Sequence, residues 1–323
     1  MKMELSKSNA AKWFSTLPLE LKSTIKKLHK PVPVWRWVPL LFVGIWIFAA
    51  TIMLTFPYVL IKILCILVIG FMIHGLAIAL HECAHGNMFR RPKLDYWIGF
   101  LLGIPALFSM TAYRVTHLLH HKYNRTPDDP DEFTNISSNQ RLLSLAFYSW
   151  TVIGMPLYLF HIALTALMRG TTKERLTVLF EESMIIGIAI LVVRNASQTG
   201  YMREVLLCWI IPLAVAAFMA NFRAWSEHTM TRPGNIITQS RTVISNKWIS
   251  FVLLNQNYHL EHHLFPALPW YQLPKVHQLL QEEYKRENSF IYKSYSKFIW
   301  EACRKGVHYE LPSAQERAKI WSS

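Results

Sequence analysis

The sequence predicts an all-α integral membrane protein. About four transmembrane helices form two hairpins, with interfacial helices and a cytoplasmic cap that carries boxes of histidines. Three observations predict this. Of the 323 residues 52% are hydrophobic and only 17% charged, against roughly 25% charged in a typical soluble domain. The apolar residues gather in long charge-free runs, and nine of the 14 histidines fall in four short clusters beside those runs. The 34 Lys and Arg exceed the 20 Asp and Glu by 14, but a soluble nucleic-acid binder has no use for so much apolar surface, so no nucleic-acid partner is expected. An aromatic content of 13% excludes disorder. Four scattered cysteines (Cys65, Cys83, Cys208, Cys303) form no CxxC pair and exclude a disulfide scaffold.

Residues 1–36 carry eight basic side chains against Glu4 and Glu20. They read as a basic cytoplasmic segment, because Lys and Arg that flank a span stay inside. No small-residue cleavage site precedes the first span, so a cleavable signal is not expected. No charge occurs from Trp37 to Ile61, and the apolar run resumes from Ile63 to Leu80. About 20 apolar residues at 1.5 Å each cross a bilayer, which places a first hairpin at about 37–56 and 59–80, with Pro57 in the external turn. The Tyr96–Tyr113 run contains Gly99, Gly103 and Pro105. It reads as interfacial or re-entrant, since one crossing there would strand the histidines on opposite sides. The Leu142–Met168 run is expected in or on the inner leaflet, because the loop after it carries Arg169, Lys173 and Arg175 and prefers the cytoplasm. A second hairpin then occupies about 178–196 and 204–223. Glu181 and Glu182 fall in its first helix, where a carboxylate at mid-membrane costs a few kcal/mol and one near the interface less. The chain thus divides into residues 1–36, a membrane domain 37–280 and an amphipathic cytoplasmic tail 281–323, with both termini and the histidines cytoplasmic.

The histidine spacing carries the chemistry. His81 and His85 stand at i, i+4, while His117, His120, His121 and His259, His262, His263 both stand at i, i+3, i+4. On a helix such positions share one face, so each box projects its imidazoles to one side. Imidazole is the commonest neutral ligand for first-row metals, and three such boxes imply a metal site. His228 follows the last span. The other five histidines (His29, His74, His161, His277, His308) are isolated and read as surface or satisfied helix residues.

The boxes HECAH, HLLHH and HLEHH, in this order around two hairpins, resemble the membrane fatty acid desaturase superfamily. The tract from Asn257 to Pro266, followed by Pro269 and Pro274, is similar to its bacterial acyl-lipid members. The resemblance covers roughly residues 37–280. It implies a non-haem di-iron centre, two Fe ions that activate O₂ as co-substrate. Its ligands would be His81, His85, His117, His120, His121, His259, His262 and His263, with His228 matching an extra histidine that several members place between the second and third boxes. Asn255 or Asn257 would hold a metal-bound water. Histidine-rich ligation leaves the irons net positive and supports an oxidant strong enough to break an unactivated C–H bond, while the protein supplies positioning and excludes water. Carboxylates behind the ligands are expected to orient the imidazoles. The candidates are Glu82, Glu227, Glu261 and the run Asp128-Asp-Pro-Asp131, with Asp128 and Asp131 foremost.

The resemblance implies an acyl-lipid desaturase that introduces a double bond into a membrane lipid chain. Members that hydroxylate or ketolate a carotenoid, alkane or other lipid share the boxes, and spacing leaves that alternative open, although the HLEHHLFP tract favours acyl lipid. The sequence has no GxGxxG, Walker loop or GxSxG, so no nucleotide fold or serine nucleophile is signalled. It has no HPGG haem motif either, so electrons are expected from a separate donor of ferredoxin or cytochrome b5 type. The basic excess would dock that donor, or equally anionic headgroups. A metal transporter would hold its ligands near the bilayer midplane, whereas only His74 falls mid-span here.

Overall fold

The computed structural model describes residues 9–137 and 139–306. His308, the first eight residues of the basic segment and the end of the tail lie outside the described residues. Two short helices, α1 (Asn9–Thr16) and α2 (Leu19–Leu28), open the chain. They pack Leu17 and Ile25 into a cluster with Leu264, Phe265, Leu268 and Leu273, so the basic segment sits against the third histidine box.

The first hairpin is α3 (Val38–Thr55) and α4 (Val59–Ala84). Its turn falls at Pro57, whose fixed φ and missing N–H end a helix. Small residues let the helices close on their neighbours, as in other membrane bundles. A Cβ on Gly75 would lie 2.6 Å from the Phe42 ring, and one on Gly70 2.6 Å from Val215. Large apolar side chains such as Ile47, Phe48, Leu60, Val152 and Leu191 are exposed, as lipid-facing surfaces require and water-facing ones avoid.

After α4 the chain leaves the histidine-bearing end and returns to it. The α5 helix (Pro92–Gly103) and α6 (Met110–Tyr123) are bent 101° to one another, through a 3₁₀ turn and Leu107 in the left-handed region. Asp95 accepts the Phe89 and Arg91 N–H groups at the start of α5. Ser109 caps α6 by accepting Ala112 N–H. A buried carboxylate from a distant helix joins that cap: Glu181 accepts from Ser109 Oγ at 2.6 Å, Thr111 N at 2.8 Å and Thr111 Oγ1 at 2.7 Å. The acid that the sequence places inside a span at a cost is therefore the anchor of the helix that carries the second box.

The helix α7 (Gln140–Arg169) is 30 residues long, α8 runs Thr172–Thr199, and α9 (Met202–Val205) continues through a π-turn into α10 (Ile211–His228). Among the described residues five helical segments are long and apolar enough to cross a membrane, one more than the four expected. The additional one is α7, because its apolar run is not interrupted. Its contacts nevertheless track one loop. Phe147 meets Phe133, Tyr158 donates to Asp131 at 3.5 Å, and Arg169 donates to the Asp128 carbonyl at 2.8 Å. Both ends of α7 thus touch residues 128–133.

Beyond α10, β1 (Arg241–Val243) pairs in parallel with β2 (Phe290–Tyr292). Arg241 is fully buried and donates to the carbonyls of Ser226, Thr229 and Met230 at the end of α10. Phe290, Tyr292 and Phe298 surround its guanidinium. Burial lowers this arginine to about 10, still charged at neutral pH, where it offsets the C-terminal dipole of α10. Three short helices follow, α11 (Lys247–Val252), α12 (His259–Leu264) and α13 (Leu273–Leu279), then α14 (Gln281–Arg286) and α15 (Tyr295–Lys305). Residues 290–302 are therefore packed onto the end of α10.

Candidate metal centre

Four elements bring nine histidines together. The C-terminal end of α4 supplies His81 and His85, α6 supplies His117, His120 and His121, the last residue of α10 is His228, and α12 supplies His259, His262 and His263. They divide into two sets. His81, His85, His117, His121 and His262 form one, while His120, His228, His259 and His263 form the other, with ligand atoms in each set within 4.8 Å of one another. The division cuts across the boxes. On α6, His117 and His121 face one set and His120 the other, because a step of three residues turns the helix short of a full circle and a step of four beyond it.

Proton placement tests whether this arrangement fits metal. Several rings point Nδ1 outward to an acceptor. His120 Nδ1 lies 3.0 and 3.1 Å from the two Asp129 oxygens, and His228 Nδ1 lies 3.2 Å from the Gln239 carbonyl. His81 Nδ1 and His259 Nδ1 face carboxylates without a hydrogen bond among the described residues, Glu82 at 3.3 Å and Glu227 at 3.5 Å. A proton on Nδ1 leaves a lone pair on Nε2, the tautomer of a metal ligand. Inside, the Nε2 atoms meet one another. The separations are 3.1 Å for His81 and His262, 2.9 Å for His85 and His117, and 3.0 Å for His121 and His262. In the second set, His259 lies 3.0 Å from both His228 and His263. Lone pairs converging at such distances repel unless a cation lies between them. The residues therefore fit two metal ions, and an all-imidazole donor set suits the first-row transition metals.

The electrostatics agree. Burial brings His85 to about 3, helped by Arg114. Burial and the neighbouring imidazoles hold His259, His262 and His263 well below the usual histidine range. These rings are neutral at pH 7, the form that ligates. His120 is the exception. Burial lowers it, but the Asp129 carboxylate outweighs that and sets it at about 9, so a metal there displaces a proton.

The outer candidates distribute differently from the expectation. Asp128 is exposed and offers only its carbonyl, to Arg169. Asp131 accepts from Tyr158 and lies 3.6 Å from His161. The carboxylate on a box imidazole is Asp129, between the two, fixed by the N–H groups of Arg125 and Asp131. Glu227 lies between His259 and Arg223, 3.0 Å from the guanidinium. Glu261 reaches no box imidazole and accepts from His277 Nδ1 at 2.6 Å and from Thr242 Oγ1. Asn255 donates to the Trp270 carbonyl and Asn257 to the Val243 carbonyl; both side-chain amides bind backbone. Gln256 between them donates to Glu82 at 3.0 Å. Sequence reasoning had Asp129 only as part of the Asp128–Asp131 run, ranked behind its two flanking aspartates, and missed the Gln239 carbonyl and Gln256. A turn in which an Asp accepts N–H groups before and after it, as in DDPD, was the one available signal, for Asp129.

A cavity of about 400 Å³ adjoins the centre. His81, His117, His120, His228 and His259 line it, together with Leu80, Phe108 and Met155, which contribute apolar wall. A bundle of long apolar helices with a buried polyhistidine cluster beside a largely apolar cavity defines a membrane protein whose side chains could hold metal. The family comparison agrees: the fatty acid desaturase model matches residues 57–295, and the chain belongs to that family of oxidoreductases. It is 26% identical to a dihydrorhizobitoxine desaturase of Bradyrhizobium elkanii over 241 residues, 68% of each chain. It is 28% identical to a sphingolipid delta(4)-desaturase of Drosophila melanogaster, covering 82% of this chain and 80% of the relative. An sn-1 acyl-lipid omega-3 desaturase (ferredoxin) of Synechocystis is 24% identical, over 76% of this chain and 77% of the relative.

Proposed function

We propose that the protein is an O₂-dependent di-iron acyl-lipid desaturase. The observation that carries this reading is the convergence of nine imidazoles into two sets, five of them lining a largely apolar cavity. Two irons there would supply O₂ activation and the removal of two hydrogens. The balance is one saturated chain, one O₂, two electrons and two protons, giving the alkene and two waters. The chain's own residues do the rest. The cavity wall holds the acyl chain extended and dry beside the centre. Asp129 and the Gln239 carbonyl keep the Nδ1 protons of His120 and His228 outward, and the Glu82 and Glu227 carboxylates face His81 and His259. The electrons come from a separate ferredoxin or cytochrome b5 type donor; the likeness to the omega-3 desaturase (ferredoxin) of Synechocystis supports a ferredoxin.

In this reading four helices cross the membrane: α3, α4, α8 and the α9–α10 segment. The α4 and α10 helices both end at the centre, so an even number of crossings separates them. The contacts of both ends of α7 with residues 128–133 support an interfacial helix, and the 101° bend between α5 and α6 a re-entrant pair. The basic N-terminal helices pack beside the third box, and basic flanks stay inside, which supports a cytoplasmic centre.

Expression in a host of known lipid profile tests the function. Mass spectrometry of the lipids is expected to find a product lighter by two hydrogens. A product that has gained oxygen refutes desaturation in favour of a hydroxylase or ketolase on the same scaffold.

A further inference from the structure

The cavity contains a polar tier that the metal centre does not use. His74 is 2% exposed and lines the cavity, yet neither of its ring nitrogens has a hydrogen-bond partner among the described residues. It stands seven residues before His81 on α4. Seven residues are two turns to within about 20°, so both rings project from one face, about 10 Å apart along the axis. On α10, Asn221 stands seven residues before His228 and lines the same cavity. It is 3% exposed, and its amide reaches the Thr151 carbonyl only at 3.5 Å. Because α4 and α10 both end at the centre, the two pairs form parallel tiers, with metal ligands above and an imidazole and an amide two turns below.

A histidine that merely filled space here would bury two polar nitrogens without compensation, which is costly in an apolar surrounding. Alanine or leucine would fill a hydrocarbon tunnel more cheaply. Arg223, whose guanidinium lies 3.0 Å from Glu227, makes no hydrogen bond to His74. The missing partner therefore belongs to the occupant of the cavity.

We propose that His74, with Asn221, forms a substrate subsite for a hydrogen-bonding oxygen, a hydroxyl or carbonyl carried by the chain about two helical turns from the oxidised carbons. Resting on the desaturase reading, this narrows the substrate from any acyl chain to one with a polar group at a fixed distance from the new double bond. His74 is a specificity-determining residue and takes no part in oxidation.

Binding by the detergent-solubilised, iron-loaded protein tests the subsite separately from turnover. Octadecanoate methyl esters bearing one hydroxyl at successive positions compete against a fluorescent acyl probe. The wild type is expected to bind one position, or two adjacent ones, about tenfold tighter than the unsubstituted ester, the value of one well-made hydrogen bond to a buried group that otherwise lacks one. His74→Leu is expected to lose that preference and to bind the unsubstituted ester at least as well as the wild type does. His74→Gln, which restores a donor and an acceptor, retains part of the preference and guards against a fold defect. A flat positional profile in the wild type, as a water held by His74 would produce, overturns the proposal, as does a preference that survives in His74→Leu. A positional preference without any product lighter by two hydrogens removes the desaturase reading and leaves the subsite standing.

Discussion

Glu181 ties α8 to the N-terminus of α6, and its removal is expected to damage a metal site formed by residues far along the chain. Its carboxylate is fully buried and accepts three hydrogen bonds, from Ser109 Oγ, Thr111 N and Thr111 Oγ1. Hydrogen bonds between membrane helices average about 0.6 kcal/mol by double-mutant cycles, with a maximum near 1.7. Bonds to a charged group in a protein interior reach roughly 1.5–3 kcal/mol. Three bonds therefore put the loss in Glu181→Leu at about 2–5 kcal/mol, the upper part applying because Leu leaves two hydroxyls and an N–H without an acceptor. Glu181→Gln keeps one acceptor and is expected to fall between. Thr111 lies six residues before His117, about 9 Å along α6, so a frayed start displaces the box itself. The assay is thermal unfolding in detergent together with iron content. Glu181→Leu is expected to melt several degrees lower and to retain less iron. A Leu variant with wild-type melting and full iron would refute the anchoring role.

Three further outcomes are expected. His120→Ala and His262→Ala, one from each histidine set, should each abolish product and lower bound iron while membrane insertion persists; full turnover by either would remove the site assignment. Asp129→Asn should weaken iron retention against a chelator by roughly 10–100-fold, the usual effect of losing the carboxylate behind a ligating imidazole, whereas Asp128→Asn should match the wild type. Acid should destabilise the iron-free protein. His259, His262 and His263 stay neutral in the fold below the usual imidazole range, so the unfolded chain binds more protons and stability falls as pH drops through about 6.5, by up to roughly 1.4 kcal/mol per pH unit for each ring. A melting temperature constant from pH 7.5 to 5.5 would contradict this.

What could be read from the sequence was the local part of the site. The i, i+3, i+4 spacing is geometry within one helix, so the three boxes and their common face follow from residue numbers alone. The choice of Asp129 over Asp128 depends on which way a turn points its side chains, set by the N–H groups of Arg125 and Asp131 and invisible to spacing. The partners of Glu181 lie about 70 residues away. The sequence could price the carboxylate but not find what compensates it. Hydropathy placed four spans within a few residues of α3, α4, α8 and the α9–α10 segment, yet α7 passes the same test of length and composition. Only its contacts with residues 128–133 set it apart. His74 and His277, grouped with the isolated histidines, prove to be a cavity lining and the partner of Glu261.

The interleaving of the boxes also governs when the centre can be built. One set holds His120 and His228 from earlier in the chain and completes itself with His259 and His263; the other already has His81, His85, His117 and His121 before His262 arrives. During synthesis the first of these positions offers two imidazoles, too few to retain an ion, until the third box has left the ribosome. By then every span precedes it. If each set holds an iron ion, loading of the pair would be a post-insertional event, and a cell starved of iron would accumulate a fully threaded apoprotein rather than a stalled insertion intermediate.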